Sequence, residues 1–297
     1  MASGTDARCT ALARAAEEPL PGTAPVRSRL LLVEHVGSWP RAVDRHQDPA
    51  IAGLADRARA AGRKLLLIRR PGRRPSSEAP RTVFLADTGP GECRVRRFVI
   101  DGPDELPAVP LGDPHAGERI DQALLMVCTH GTRDLCCAVE GRSLATAVVE
   151  AEPEPDVVWE CSHLGGHRFA PTALVLPTGY LYGRLDVATA VAARKAAAQG
   201  EMEPGLCRGR AAWEPAGQVA ELAVRVRTGL RDADALTIDR IDEVRRGREV
   251  LVRGPEGAAW AVLVVERPGP SRPLSCGAAL ERSAPLVAMA VRAVAHA

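Results

Sequence analysis

The sequence predicts an α/β protein, with a smaller α+β extension at its C-terminal end. Three observations carry this. Apolar runs of strand length alternate with helical spacings over roughly the first 205 residues. Hydrophobic residues make up 46% of the 297-residue chain, enough for a large core without disulfides. No apolar stretch approaches the roughly eighteen residues of a membrane-spanning helix.

The elements follow in order. "RLLLVEHV" (29–36) is a strand. "DPAIAGLADRARAAGRK" (48–64) has helical spacing at Ile51, Leu54, Ala55 and Ala58, with Asp48 as N-cap, Pro49 at N1 and Gly62 as the stop. "KLLLIRR" (64–70) is the next strand, so the two strands form a parallel β-α-β unit. "RTVFLAD" (81–87) and "CRVRRFVI" (93–100) read as a hairpin closed by "TGPGE". Residues 101–120, rich in proline and charge, read as a linker.

"DQALLMVC" (121–128) opens a second series as a strand. "DLCCAVEGRSLATAVVEA" (134–151) is a helix capped by Asp134, with Gly141 expected to weaken or split it. "PDVVWEC" (155–161) is a strand, "TALVLPTGYLYGRL" (172–185) a hairpin, and "DVATAVAARKAAAQGE" (186–201) a helix ending at Gly200. The order β-α-β-β-β-α is that of a thioredoxin-like domain. The N-terminal β-α-β block can be a second thioredoxin-like half. Beyond these, "EPAGQVAELAVRVRTGL" (214–230) reads as an amphipathic helix and "EVLVRGPEGAAWAVLVVER" (249–267) as a hairpin. "PLVAMAVRAVA" (285–295) is a strand or a helix. Three units are expected: an α/β block over 1–110, the thioredoxin-like domain over 111–205, and a helix-plus-hairpin extension over 206–297.

The formal charge of +2 argues against a nucleic-acid protein, and the one basic run, "IRRPGRRP" (68–75), reads as a solvated loop. The N-terminal "MASGTDARCTALARAAEEPL" lacks the apolar core of a signal peptide, so a cytoplasmic location without membrane contact is expected. There the eight cysteines stay reduced, and a tight cysteine group points to metal binding or redox chemistry.

That group lies at two strand ends. "CTHGTRDLCC" begins at Cys128 and "CSHLGGHRFA" at Cys161. Strand ends on one sheet edge bring distant residues together, so Cys128, Cys136, Cys137, Cys161, His163 and His167 can converge, with His130 nearby. The two glycines of "HLGGH" suit a loop bent around a bound atom. Cys137 falls near N3 of the helix after Asp134, where the helix dipole favours thiolate. The Cys-x8-Cys and His-x3-His spacings fit either Cys2His2 zinc or a two-iron cluster with two thiolates on one iron and two imidazoles on the other.

These motifs, together with "EPLPGTAP" (18–25) and "RPLSCGA" (272–278), resemble the sucrase/ferredoxin-like family. The resemblance spans roughly residues 9–230. It implies a domain similar to the thioredoxin-like [2Fe–2S] ferredoxins. In its bis-histidinyl form it implies Cys128 and Cys137 as thiolate ligands and His163 and His167 as imidazole ligands, with adjacent Cys136 as the alternate in that register. Apart from the resemblance, Cys161 reads as a packed strand-end residue and is an alternate only in a Cys3His site. No paired carboxylates occur in a glycosidase setting, so the "sucrase" of the family name has no counterpart here. The function expected is one-electron transfer, with possible proton coupling through the imidazoles, rather than an enzymatic activity.

Two other classes compete: a zinc-stabilised binding module and a thiol redox protein. The second is weakened by the lack of a Cys-x-x-Cys pair. No Gly-rich dinucleotide fingerprint is visible, so electrons are expected to come from and go to partner proteins, as yet unidentified. His130, Arg133 and Arg168 are expected around the ligands, the arginines balancing cluster charge. Cys9, Cys93, Cys207 and Cys276 read as packing residues, as do Trp159 and Trp213.

Overall fold

The computed structural model describes residues 8–72, 76 and 79–294. After a short helix, α1 (Cys9–Ala15), the first half comprises β1 (Arg29–Glu34), α2 (Pro49–Ala60), β2 (Lys64–Arg69), β3 (Arg81–Asp87), β4 (Arg94–Ile100) and β5 (Glu118–Ile120). The second half repeats the β-α-β-β-β order and inserts a helix before its last strand: β6 (Leu124–Cys128), α3 (Leu135–Ala151), β7 (Val158–Cys161), β8 (Ala173–Leu176), β9 (Tyr180–Tyr182), α4 (Val187–Ala198) and β10 (Cys207–Arg210).

All ten strands form one mixed sheet, in the order β10-β9-β8-β6-β7-β2-β1-β3-β4-β5. Within it the halves are wired alike. β1 pairs parallel with β2 and antiparallel with β3, and β6 does the same with β7 and β8. The halves join through an antiparallel contact of the corresponding strands β2 and β7, Ile68 opposite Cys161 and Arg69 opposite Glu160.

The continuous apolar runs have a direct cause: the central strands are buried on both faces. Leu31 and Val33 of β1 pack toward α2 with Ile51, Leu54 and Ala58. Leu125 and Val127 of β6 pack toward α3 and α4 with Leu144, Ala145 and Ala193. The alternate residues, Leu30 and Leu32 in one half and Leu124 and Met126 in the other, share a single cluster with Phe84 and Trp159. α2 starts at Asp48, whose carboxylate accepts from Ala50 N at 2.9 Å, and α4 at Asp186 in a capping box with Thr189.

Beyond the sheet, α5 (Pro215–Thr228) lies over a second sheet. That sheet is formed by β11 (Thr237–Val244), β12 (Gly247–Arg253), β13 (Ala259–Glu266) and β16 (Leu286–Val294), in that order; β14 (Gly269–Pro273) pairs with β15 (Leu280–Ser283). The segment left open between strand and helix is therefore the strand β16. Tyr180 of β9 donates to Glu221 of α5, which also pairs with Arg225 at 3.0 Å, all three buried. This polar network ties α5 to the large sheet.

Two expectations are corrected. Residues 101–120 are no linker: Leu106, Val109 and Leu111 are buried against α2, and β5 extends the sheet. In the basic run, Arg69 pairs with Glu160, and Arg70 with Glu34 and Asp156, rather than lying solvated. Residues 73–75 of that run, and 1–7 of the N-terminal stretch, lie outside the described residues. Among the described residues no helix is long and apolar enough to cross a membrane.

Candidate metal centre

Parallel pairing places the ends of β6 and β7 side by side, Cys128 opposite Cys161. In the first half the corresponding strand ends carry Glu34 and Arg69, and an Arg70–Glu34 ion pair lies there. Only the second half presents thiols. From Cys128 the chain turns through 129–134 into α3, whose N-cap Asp134 accepts from Cys136 N at 2.9 Å. Cys137 is then the third residue of the helix.

α3 is one unbroken helix, so Gly141 does not split it. Its reason is steric: a Cβ there would lie 2.1 Å from the carbonyl oxygen of Cys128. The missing side chain lets the helix come down onto the end of β6. That approach sets Cys137 beside Cys128.

After β7 the "HLGGH" loop runs through Gly165 at φ +81° and Gly166 at φ +69°, both left-handed, and a 3-10 turn starts at His167. The backbone N–H of His163 donates to His130 Nδ1 at 3.0 Å, and His130 Nε2 lies 3.0 Å from Pro40 O. These two bonds assign His130 as the neutral tautomer with its proton on Nε2. Both ring nitrogens are occupied, so buried His130 positions the loop and has no nitrogen left to bind. Burial also pushes its pKa down.

Three donors converge. His163 Nδ1 lies 3.9 Å from Cys128 Sγ and 4.0 Å from Cys137 Sγ, and all three atoms lie within 4.8 Å of one another. His167 joins on the far side, its Nδ1 3.4 Å from His163 Nε2. His167 Nε2 is buried without a hydrogen-bond partner, 3.7 Å from Asp134 Oδ2. The thiols are fully buried, while both imidazoles are half-buried.

The adjacent thiol faces elsewhere. Cys136 Sγ lies 3.6 Å from Cys9 Sγ and 3.3 Å from Cys276 Sγ. Cys161 packs in the apolar cluster and is not among the converging donors; burial pushes its thiol pKa up. Neither of the two alternates points at His163. Arg168 lies in an ion pair with Glu18 at 3.0 Å, a carboxylate that Arg272 shares. Arg133 is half-buried and near enough to disfavour protonation of His167, although burial is the larger cause of that lowered pKa.

The electrostatics state what the site needs. The Cys137 S–H, with His163, holds Cys128 well below the ordinary thiol range. The same contact, with burial, pushes Cys137 far up. The contact between the two sulfurs thus favours a single thiolate over two in the buried pair. Removing both thiol protons places two negative charges side by side in a buried site within reach of the Arg208 guanidinium, and a cation bound there would balance them. Soft sulfur and imidazole donors around such a position suit iron or zinc.

Reading the sequence overlooked Arg208. It is fully buried; its Nη1 donates to Gly165 O at 3.0 Å and its Nε to Thr23 Oγ1 at 3.0 Å. Burial lowers its pKa to about 10. It thereby ties the histidine loop to the N-terminal segment. A Cβ on Gly166 would lie 2.3 Å from Arg208 Nη2, which is why that glycine is bare as well as left-handed. Nothing in "CRGR" marks this arginine, because its role depends on partners over forty residues away.

The sucrase/ferredoxin-like family matches residues 20–209. No curated protein and no solved structure gives a significant match. The family match spans both halves of the ten-stranded sheet and all the converging donors, so the chain belongs to the sucrase/ferredoxin-like family.

Proposed function

We propose that this protein is a one-electron carrier holding a [2Fe–2S] cluster through Cys128, Cys137, His163 and His167. The observation that carries the reading is the convergence of two buried thiols from different elements on an imidazole that contacts a second one. Membership of a ferredoxin-like family supports it. The repeated β-α-β-β-β order supports a thioredoxin-like reading of each half. The cluster, when bound, supplies reversible one-electron chemistry, at a potential raised by imidazole in place of thiolate.

The chain's own residues do the rest. α3 and β6 hold the two sulfurs in a dry pocket, so water is kept from them. His130 fixes the backbone of His163, and Arg208 fixes the loop at Gly165. The half-buried imidazoles form the side open to a partner, so electrons enter and leave over His163 and His167. The reductant and oxidant are separate proteins, and the location is cytoplasmic.

An imidazole ligand also carries a second nitrogen that can take a proton when the site gains an electron. His167 Nε2, beside the Asp134 carboxylate, is the atom placed to hold it. Burial pushes that carboxyl up, but the N–H groups of Cys276 and Cys136 outweigh it and keep Asp134 ionised. Voltammetry across pH 6–10 tests this part: the potential falls with pH, by up to about 59 mV per unit for one proton per electron. A flat potential removes the proton.

Zinc is the second reading, favoured by one observation: three donor atoms within 4.8 Å suit a single ion. The visible spectrum separates the two, because zinc gives no colour.

A further inference from the structure

Outside the site just described, a second group of sulfurs comes together from three distant segments. Cys9 lies on α1, Cys136 on α3, and Cys276 in the turn between β14 and β15. Their Sγ atoms form a triangle with edges of 3.3, 3.6 and 3.6 Å. Asp134 completes the group: both carboxylate oxygens lie 3.9 Å from Cys9 Sγ. All four donors lie within 4.8 Å of one another. Cys9, Cys136 and Asp134 are buried and Cys276 is half-buried.

We propose that Cys9, Cys136 and Cys276, with Asp134 as fourth donor, form a second metal site for a single thiophilic divalent ion, with zinc as the best match. The edges decide the nuclearity. A disulfide needs sulfurs about 2.05 Å apart, so no pair here is bonded. Tetrahedral zinc at about 2.3 Å from each sulfur sets them about 3.8 Å apart, a few tenths of an ångström wider than observed. An ion at that distance stands about 1.1 Å above the sulfur plane, which leaves one face of the triangle for an oxygen.

The carboxylate is held ready. Asp134 Oδ1 accepts from Cys136 N at 2.9 Å, and Oδ2 accepts from Cys276 N and Ser275 Oγ, both at 3.0 Å. Two of the three cysteine backbones therefore orient the fourth donor, as supporting hydrogen bonds do in metal sites. Thr10 Oγ1, 3.4 Å from Cys136 Sγ, adds a polar neighbour. Binding releases the thiol protons to solvent, and no electron changes hands.

The three sulfurs come from 127 to 267 positions apart, so the ion would staple the N-terminal helix and the β14–β15 hairpin to the start of α3. Cys9 and Cys276 both lie outside the family match at 20–209. The three sulfurs are separate from Cys128 and Cys137, and the two sites meet only at Asp134, which also lies 3.7 Å from His167 Nε2.

The test is metal analysis of the full chain, purified without oxygen and incubated with zinc chloride. The expected result is one zinc per chain that Cys9→Ser and Cys276→Ser each lose, with iron content and visible spectrum unchanged. Cys128→Ser should do the reverse, losing iron and keeping this zinc. Iron and zinc are counted separately, so failure at one site is not mistaken for failure at the other. Wild-type protein without this zinc, zinc retained by both serine variants, or a Cys136–Cys276 disulfide found by mass spectrometry overturns the proposal. Should the variants not fold, alkylation of the wild type decides: Cys276 is protected until a strong chelator strips the zinc. Equal labelling with and without chelator rejects the site.

Discussion

Replacing Gly141 by alanine opposes two effects whose magnitudes differ. Helix propensity alone favours alanine inside α3 by about 1 kcal/mol. The structure places the new Cβ 2.1 Å from the Cys128 carbonyl oxygen and 3.1 Å from its carbon. Reaching ordinary contact at 3.4 Å requires α3 and β6 to separate by about 1.3 Å. The obstacle is backbone at the end of a central buried strand, so it cannot swing aside. Overpacking of this kind costs about 1–3 kcal/mol or more, and the net effect is destabilisation. The same shift carries Cys137 away from Cys128, and metal sites tolerate only about 0.2 Å in ligand distance. Gly141→Ala should therefore unfold at lower urea concentration and retain less iron per chain. Urea denaturation and iron analysis on the same preparation check both. A variant more stable than the wild type, with full iron, would refute the close approach of α3 to Cys128.

Three further outcomes are expected. Cys137→Ser should lose its visible absorbance while Cys136→Ser keeps it, because only the former sulfur faces His163; equal loss in both would refute the separation. Arg225→Ala leaves Glu221 buried beside Tyr180 without its cation and should cost about 3–5 kcal/mol in denaturant unfolding. His35 is held to a pKa of about 4 by burial first, then by His46 and Arg81, with Asp48 opposing. Its folded pKa is depressed, so the unfolded chain takes the proton first. The stability His35 contributes is complete above about pH 6.5 and is lost as pH falls toward 4, by up to about 3 kcal/mol. Stability measured by urea at several pH values should show this slope, and His35→Asn should flatten it.

Much of this was legible because the local signals are strong. The runs "RLLLVEHV" and "KLLLIRR" read as strands, and Asp48-Pro49 and Asp134 cap helices where expected. What could not be read from sequence depends on distance in space. Gly141 looks like a helix weakness until the Cys128 carbonyl is placed against it. Residues 101–120 look like a linker because their three core residues, Leu106, Val109 and Leu111, are diluted by proline and charge. Cys136 and Cys137 are indistinguishable in the chain, yet on a helix neighbours point about 100° apart, so each meets a different set of partners. Cys9 and Cys276 each looked like a lone packing thiol, since their relation spans 267 positions.

The most direct test of the central claim is the iron, sulfide and visible spectrum of protein purified without oxygen. The account predicts about two irons and two acid-labile sulfides per chain with a reddish-brown charge-transfer spectrum, both lost in Cys128→Ser. Colourless protein with one zinc displaced by that same substitution would contradict it.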